Sequence, residues 1–245
     1  MSLFRRAASF IALVVIWQLG SLVTGPRLLP PPAMVADALV RGIVDGSLPY
    51  HTAVTLARVA ASFVVAMLIG AALGLAMGRL PRLDIFFDSW LVLFLNIPAL
   101  VTIVLCYIWF GLAEPAAILA VAINKIPTVV VTVREGARAL DRDYLEMAAV
   151  FRIGRWKTLR HVILPSLAPF LLAAARSGLA LIWKIVLVVE LLGRSNGVGF
   201  QINVFFQFFD VASILAYTLA FVLIIQAVEW LLFRPLERRI SRWRR

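Results

Sequence analysis

REGARALDRDYLEMAAVFRIGRWKTLRH, residues 134–161, is a polar island between long apolar segments, and it runs directly into Val162-Ile163-Leu164-Pro165. Asp143 followed three residues later by Glu146 has capping-box spacing. Both acids suit the positive end of a helix beginning near Tyr144. Ala148 and Ala149 make one face of that helix small, and Gly154 is suited to end it in the left-handed conformation. The basic-apolar stretch Arg155 to His161 then leads to Pro165, which is tolerated in the first turn of the next helix. The reading is a short helix, a tight turn and a return into an apolar segment. Such an element projects from a set of helices and can transmit force to another domain.

Outward from this loop, the chain is too apolar for a soluble core. Its 245 residues are 62% hydrophobic and 15% charged, with mean hydropathy +0.96. Soluble domains sit near half apolar and a quarter charged. A spanning helix needs about 20 mostly apolar residues. Six segments qualify: 7–24, 52–78, 85–110, 115–133, 162–192 and 211–233. The fold class expected is therefore all-α, a polytopic membrane protein with six transmembrane helices. Residues 1–245 are read as one transmembrane domain with a cytoplasmic loop at 134–161. The first segment, with Arg5 and Arg6 before it, has the look of a signal peptide. Gly20-Ser21-Leu22-Val23-Thr24 is a poor cleavage site, so it is read as a retained span.

The formal charge of +11 follows from topology rather than from nucleic-acid binding. With the N-terminus inside, the inner loops hold Arg5, Arg6, Arg79, Arg82, Arg134, Arg138, Arg142, Arg152, Arg155, Lys157 and Arg160. The tail adds Arg234, Arg238, Arg239, Arg242, Arg244 and Arg245. Outer loops hold only Arg27, Arg41 and Arg194. The positive-inside rule then puts both termini in the cytoplasm, and the tail has anionic lipid within reach as a partner.

Nothing points to catalysis. There is no G-x-x-x-x-G-K-[ST] loop, no Gly-x-Ser-x-Gly elbow and no H-E-x-x-H pair; His51 and His161 are isolated, and Cys106 is a lone cysteine in an apolar span. No catalytic residue, metal or cofactor is expected in this chain.

Leu29-Pro30-Pro31-Pro32 breaks any helix after the first span. Met34 to Val44 reads as a short amphipathic helix at the outer surface, ended by Gly46 and Pro49. Gly70, Gly74 and Gly78 form a stripe for close helix packing, either within the chain or between two copies. Asn96-Ile97-Pro98 and Asn124-Lys125-Ile126-Pro127 each put a proline in a span, where it bends or breaks the helix beside a cavity.

Glu146-Met147-Ala148-Ala149, Gly154 and Val162-Ile163-Leu164-Pro165 together resemble the "EAA" loop of bacterial ABC importer permeases. Leu29-Pro30-Pro31-Pro32, Trp109-Phe110-Gly111-Leu112-Ala113-Glu114, Pro169, Arg176, Gly178, Trp183, Glu190 and Gly197-Val198-Gly199-Phe200 extend the likeness to the nitrate/sulfonate/taurine-type permeases, over roughly residues 29–240. Departures are Arg152 where the family's Gly follows the Glu by six residues, Met147 for Ala, Ala113 for a second Gly, and a sparse proline cluster in the third span. The resemblance implies a type I importer permease fold in the bacterial inner membrane. It implies that Asp143, Glu146, Ala148, Ala149, Arg152, Gly154 and Pro165 couple to a cytoplasmic ATP-binding subunit, present in two copies, that binds the ATP and Mg. It also implies a second permease, here a homodimer partner, and a periplasmic or lipid-anchored substrate-binding protein.

Charges inside the spans should face protein or water, because each costs a few kcal/mol in hydrocarbon. Arg58 and Arg176 either snorkel from span ends or are structural. Lys125 either pairs with Glu190 across helices or, with Lys184, attracts an anionic substrate. Asn96, Asn124, Lys125, Lys184 and Glu190 are the candidate translocation path. Phe205-Phe206-Gln207-Phe208-Phe209 is either an interfacial belt or an outer gate. Two rival functions stay open. One is an ion-coupled secondary transporter using Asp88, Glu190 or Glu229; the other is an importer of an uncharged or aromatic solute.

Overall fold

The computed structural model describes residues 2–241. The side chains of Arg6, Arg142, Ala149, Arg238 and Arg239, and the whole of Arg242, Arg244 and Arg245, lie outside the described residues. The elements are helices: α1 (Ser2–Thr24), α2 (Pro32–Val44), α3 (Ser47–Arg79), α4 (Pro81–Asn96), α5 (Ala99–Phe110), α6 (Glu114–Arg138), α7 (Arg142–Val150), α8 (Arg155–Thr158), α9 (Leu164–Gly193), α10 (Val198–Gln207), α11 (Val211–Val228) and α12 (Arg234–Ser241). All six segments read as spans are helical. Among the described residues, four helical runs are long and apolar enough to cross a membrane, or five if the bent pair α4–α5 is one span; α1 contributes the shorter apolar stretch Ala8–Thr24.

The third span breaks where expected. Ile97 is extended (φ −72°, ψ 123°), as a residue before proline prefers, and α4 and α5 meet at 96°. The fourth does not break: α6 runs unbroken through Pro127. Two other prolines act differently again. Pro165 and Pro235 each follow a π-helical turn, Leu159–Ile163 and Glu229–Phe233. The ring of each proline meets the carbonyl four residues back, His161 or Leu231, which lies inside the widened turn. The wider turn lets that carbonyl tilt away from the ring. Pro49 does not end α2, which stops at Val44; it sits in the first turn of α3, where a missing N–H costs nothing.

The chain divides into two compact units, Met1–Leu56 with Glu190–Ile225, and Ala57–Val189 with Gln226–Arg245. In the first, Pro32 starts α2 and the helix buries Val35 and Ala38 against Ala212 and Ala216 of α11. The Trp17 indole donates to the Pro30 carbonyl at 3.0 Å, tying α1 to the proline segment. Ser47 and Tyr217 share a hydrogen bond of 2.8 Å.

In the second unit α6 is the centre, with 56% of its apolar window buried against 28% for α3. The glycine stripe explains how. A methyl added at Gly70 would sit 2.6 Å from Val129 Cβ, at Gly74 2.7 Å from the Val130 carbonyl oxygen, and at Gly78 2.6 Å from Ala137 Cβ. The stripe is an intrachain contact of α3 with α6, close enough that only hydrogen fits at the three positions. Val59, Ile103, Val121, Ile182 and Val186 build the adjoining core. At the far end of α6, Arg134 bonds Asp88 at 2.6 Å and Asp84 at 3.3 Å, and Arg138 bonds Asp84, so α4 is tied to α6 by charge.

Gly74→Val should lower the thermal stability of the purified permease by about 1–3 kcal/mol, the usual cost of overpacking. Ala72→Val, on the exposed side of the same helix, should leave it unchanged; melting curves of both variants in detergent check this.

Candidate functional site

The polar loop folds as a short helix, a turn and a second helix, but its caps differ from the expectation. α7 begins at Arg142, two residues early, because the Asp141 carboxylate accepts the Asp143 N–H at 3.0 Å. Asp141 is therefore the cap. Asp143 lies in the first turn, where its charge still suits the helix dipole, and Glu146 is an exposed position rather than half of a capping box. The turn after α7 is also shifted. Arg152 takes the left-handed conformation (φ 49°) and the Ile153 N–H reaches back to the Ala148 carbonyl at 2.9 Å, the long bond of a Schellman motif. Gly154 is extended (φ −59°, ψ 148°) and caps α8 instead of ending α7. Arg152 thus stands in the position and the conformation that the family's glycine would serve, at a backbone cost of about 1–2 kcal/mol.

Ala148 is buried, and Ala149 lies in the same helix with its side chain outside the described residues. Around them Met147, Val150, Phe151 and Trp156 are exposed, the last three above 70%. Exposed Asp143, Glu146, Arg152, Arg155 and Lys157 surround this apolar set. Exposed apolar residues flanked by charged ones have the composition of a protein-docking face. Pro165 lies just past the π turn, in the run that carries the loop back into α9.

The candidate path residues divide between the two units, Glu190 in the first and the other four in the second. Asn96 is exposed at the end of α4, its amide donating to the Val92 carbonyl at 2.7 Å, and Asn124 is half-buried with its amide on the Ala120 carbonyl. Lys125 is buried, its stem against Gly178, and has no ion pair among the described residues. Lys184 is exposed in the last third of α9, its ammonium 5.6 Å from the Trp183 ring, and it too has no ion pair among the described residues.

Glu190 serves a different purpose. It is fully buried, and its carboxylate accepts from the Thr55 hydroxyl at 2.9 Å and from the Gly199 N–H at 2.8 Å. Thr55 in turn accepts the Val198 N–H at 2.8 Å, and His51 Nδ1 accepts the Gly197 N–H at 2.9 Å. The Gln201 side-chain amide lies 2.7 Å from His51 Nε2, on the other side of the ring. The network satisfies successive N–H groups at the start of α10. Gly197 has φ 108°, and a methyl on it would collide with the Glu190 carboxylate. Thr55 as the partner of Glu190, and His51 as the acceptor for Gly197, were missed; the signal for the cradle was Gly197-Val198-Gly199 itself. Elsewhere Arg58 meets Glu114 in a two-pronged bond (2.8 and 2.6 Å), and Arg176 meets Glu229 at 2.7 Å, so both arginines are structural.

Residues 39–242 match the family described as binding-protein-dependent transport system inner membrane component. The chain belongs to that family. It is 29% identical to the taurine transport system permease protein TauC of Escherichia coli, over 95% of this chain and 86% of that protein. It is also 29% identical to the bicarbonate transport system permease protein CmpB of Synechococcus elongatus, over 80% and 74%. Its fold resembles that of the MetNI methionine ABC transporter in an inward-facing form, with TM-score 0.62 and 18% identity, covering 76% of this chain and 91% of that one. The chain is a permease subunit of an ABC importer, a non-catalytic transmembrane component of the inner membrane. Its family works with an ATP-binding subunit and a substrate-binding protein.

Replacing Arg152 by Gly should slow hydrogen exchange of the Ile153 amide, by up to about 1 kcal/mol of protection, as left-handed strain is relieved. Arg152→Val should speed it, since β-branched residues fit positive φ worst; exchange measured by mass spectrometry on the loop peptide decides.

Proposed function

We propose that residues 1–245 act as one permease domain, paired with a second copy, that imports a small oxyanion such as a sulfonate, nitrate or bicarbonate. Both termini are cytoplasmic. Two partner subunits bind ATP and Mg, hydrolyse the nucleotide and seat α7 and its apolar surface in their grooves. When the ATP-bound subunits close, they draw the two α7 helices together, and the pathway opens to the side where a binding protein delivers substrate. ATP shifts the balance of two conformations because its contacts differ between them.

The observation that carries the substrate class is Lys184. It is exposed within the apolar run of α9, nine residues before that helix ends at Gly193, with no ion pair among the described residues. An ammonium in hydrocarbon costs at least about 2.5–3.5 kcal/mol, so in the assembly it faces water or protein, and a path between two copies supplies both. Lys125 adds a second cation, buried behind Gly178. The related permeases named for taurine, aliphatic sulfonates and bicarbonate serve oxyanions or groups that carry one, and this supports the same class here.

Glu146→Lys and Phe151→Asp should abolish co-purification of the ATP-binding subunit, whereas Lys184→Met should keep the subunit and cut sulfonate uptake roughly tenfold or more, the scale of a lost charge contact. Loop variants that still bring down the subunit would overturn the docking site. Undiminished uptake by Lys184→Met would overturn the anion path.

A further inference from the structure

We infer that the second unit carries a specific binding site for an anionic phospholipid at the Arg79–Arg82 end of α3 and α4. The site has an apolar part and a charged part. The apolar part is a cavity of about 330 Å³ among α3, α4 and α6, walled by residues that include Leu73, Met77, Phe87, Trp90, Phe94 and Ile126. That is within the size range of small-ligand pockets, roughly 300–1,000 Å³. Ala76 and Pro127 stand in its wall beside Phe87 and Trp90, whose rings meet edge to face with centroids 6.5 Å apart. No polar side chain lines it, so its occupant there is hydrocarbon.

The charged part lies at the end of the cavity where α3 passes into α4. Four arginines meet there, and two are already neutralised. Arg134 and Arg138 are bound by Asp84, Asp88 and Glu135. Arg79 and Arg82 are exposed and have no ion pair among the described residues. Arg79 is one helical turn past Ala76, and Arg82 adjoins Leu83, both of which line the cavity. An apolar slot with two free guanidiniums at its rim matches one acyl chain and a phosphate head group. Arginine binds phosphate in a planar fork, which a zwitterionic head group partly screens. The inference needs these helices to lie in a bilayer and does not depend on the transported substrate.

The test uses the full chain in vesicles containing phosphatidylglycerol or phosphatidylcholine with brominated acyl chains, which quench nearby tryptophan. Subtracting the signal of Trp90→Phe isolates Trp90 from the other six tryptophans. Brominated phosphatidylglycerol should quench Trp90 at a concentration roughly tenfold or more below brominated phosphatidylcholine, since each basic residue near the surface strengthens anionic lipid binding several-fold. Arg79→Gln with Arg82→Gln should remove the difference, and Ala76→Phe should weaken quenching by both lipids. Equal quenching by the two lipids in the unaltered chain, or a preference that survives the double variant, would overturn the site. An unquenched Trp90 would overturn it as well and would mean that a second copy of the chain covers the cavity.

Discussion

The contact on which the second unit depends is the seating of α3 on α6 at Gly70, Gly74 and Gly78. In lipid, helices gain little from burying apolar surface against one another, since acyl chains are equally apolar; close backbone approach has to supply the attraction. The three glycines bring α3 to within van der Waals contact of Val129, Val130 and Ala137. Arg134 and Arg138, held by Asp84 and Asp88, then tie α4 to the same helix. Three residues separate the end of α6 from α7. A push on α7 therefore meets a body made of three helices rather than a single flexible span. That is the mechanical requirement for converting events at a partner ATPase into movement within the membrane.

The charges sort into two groups by their partners. Arg58 with Glu114, Arg134 with Asp84 and Asp88, and Arg176 with Glu229 are ion-paired. Glu190 is held by a hydroxyl and a backbone N–H. These groups anchor helices, and removing one member of such a pair leaves an uncompensated charge. Lys125 and Lys184 form no ion pair among the described residues, which sets them apart from the arginines that brace the fold.

Much of the architecture was legible because apolar length and proline position are local signals. The break at Pro98 follows from Ile97 adopting the extended form that a proline demands. Pro127 gave the same local signal and no break. Pro127 is buried within α6, where Gly70 of α3 packs against the neighbouring Val129 and the Ile126 carbonyl. In the loop, sequence marked the helix but misplaced both its ends. Asp141 and Asp143 are equally good caps on composition, and only the backbone path chooses between them. The turn needs its left-handed residue two positions after Val150, so it falls on Arg152, while Gly154 comes two residues too late. Glu190 was singled out, but its partner Thr55 is 135 residues away in the chain, a pairing that no local pattern encodes.

The central claim is that import is driven by ATP through α7. The direct measurement is substrate uptake by vesicles carrying this permease, its ATP-binding subunit and its binding protein, with ATP and ion gradients imposed separately. The account predicts sulfonate accumulation that requires ATP on the side of α7 and persists when proton and sodium gradients are collapsed. Accumulation driven by an ion gradient without ATP, and lost on collapsing that gradient, would contradict it.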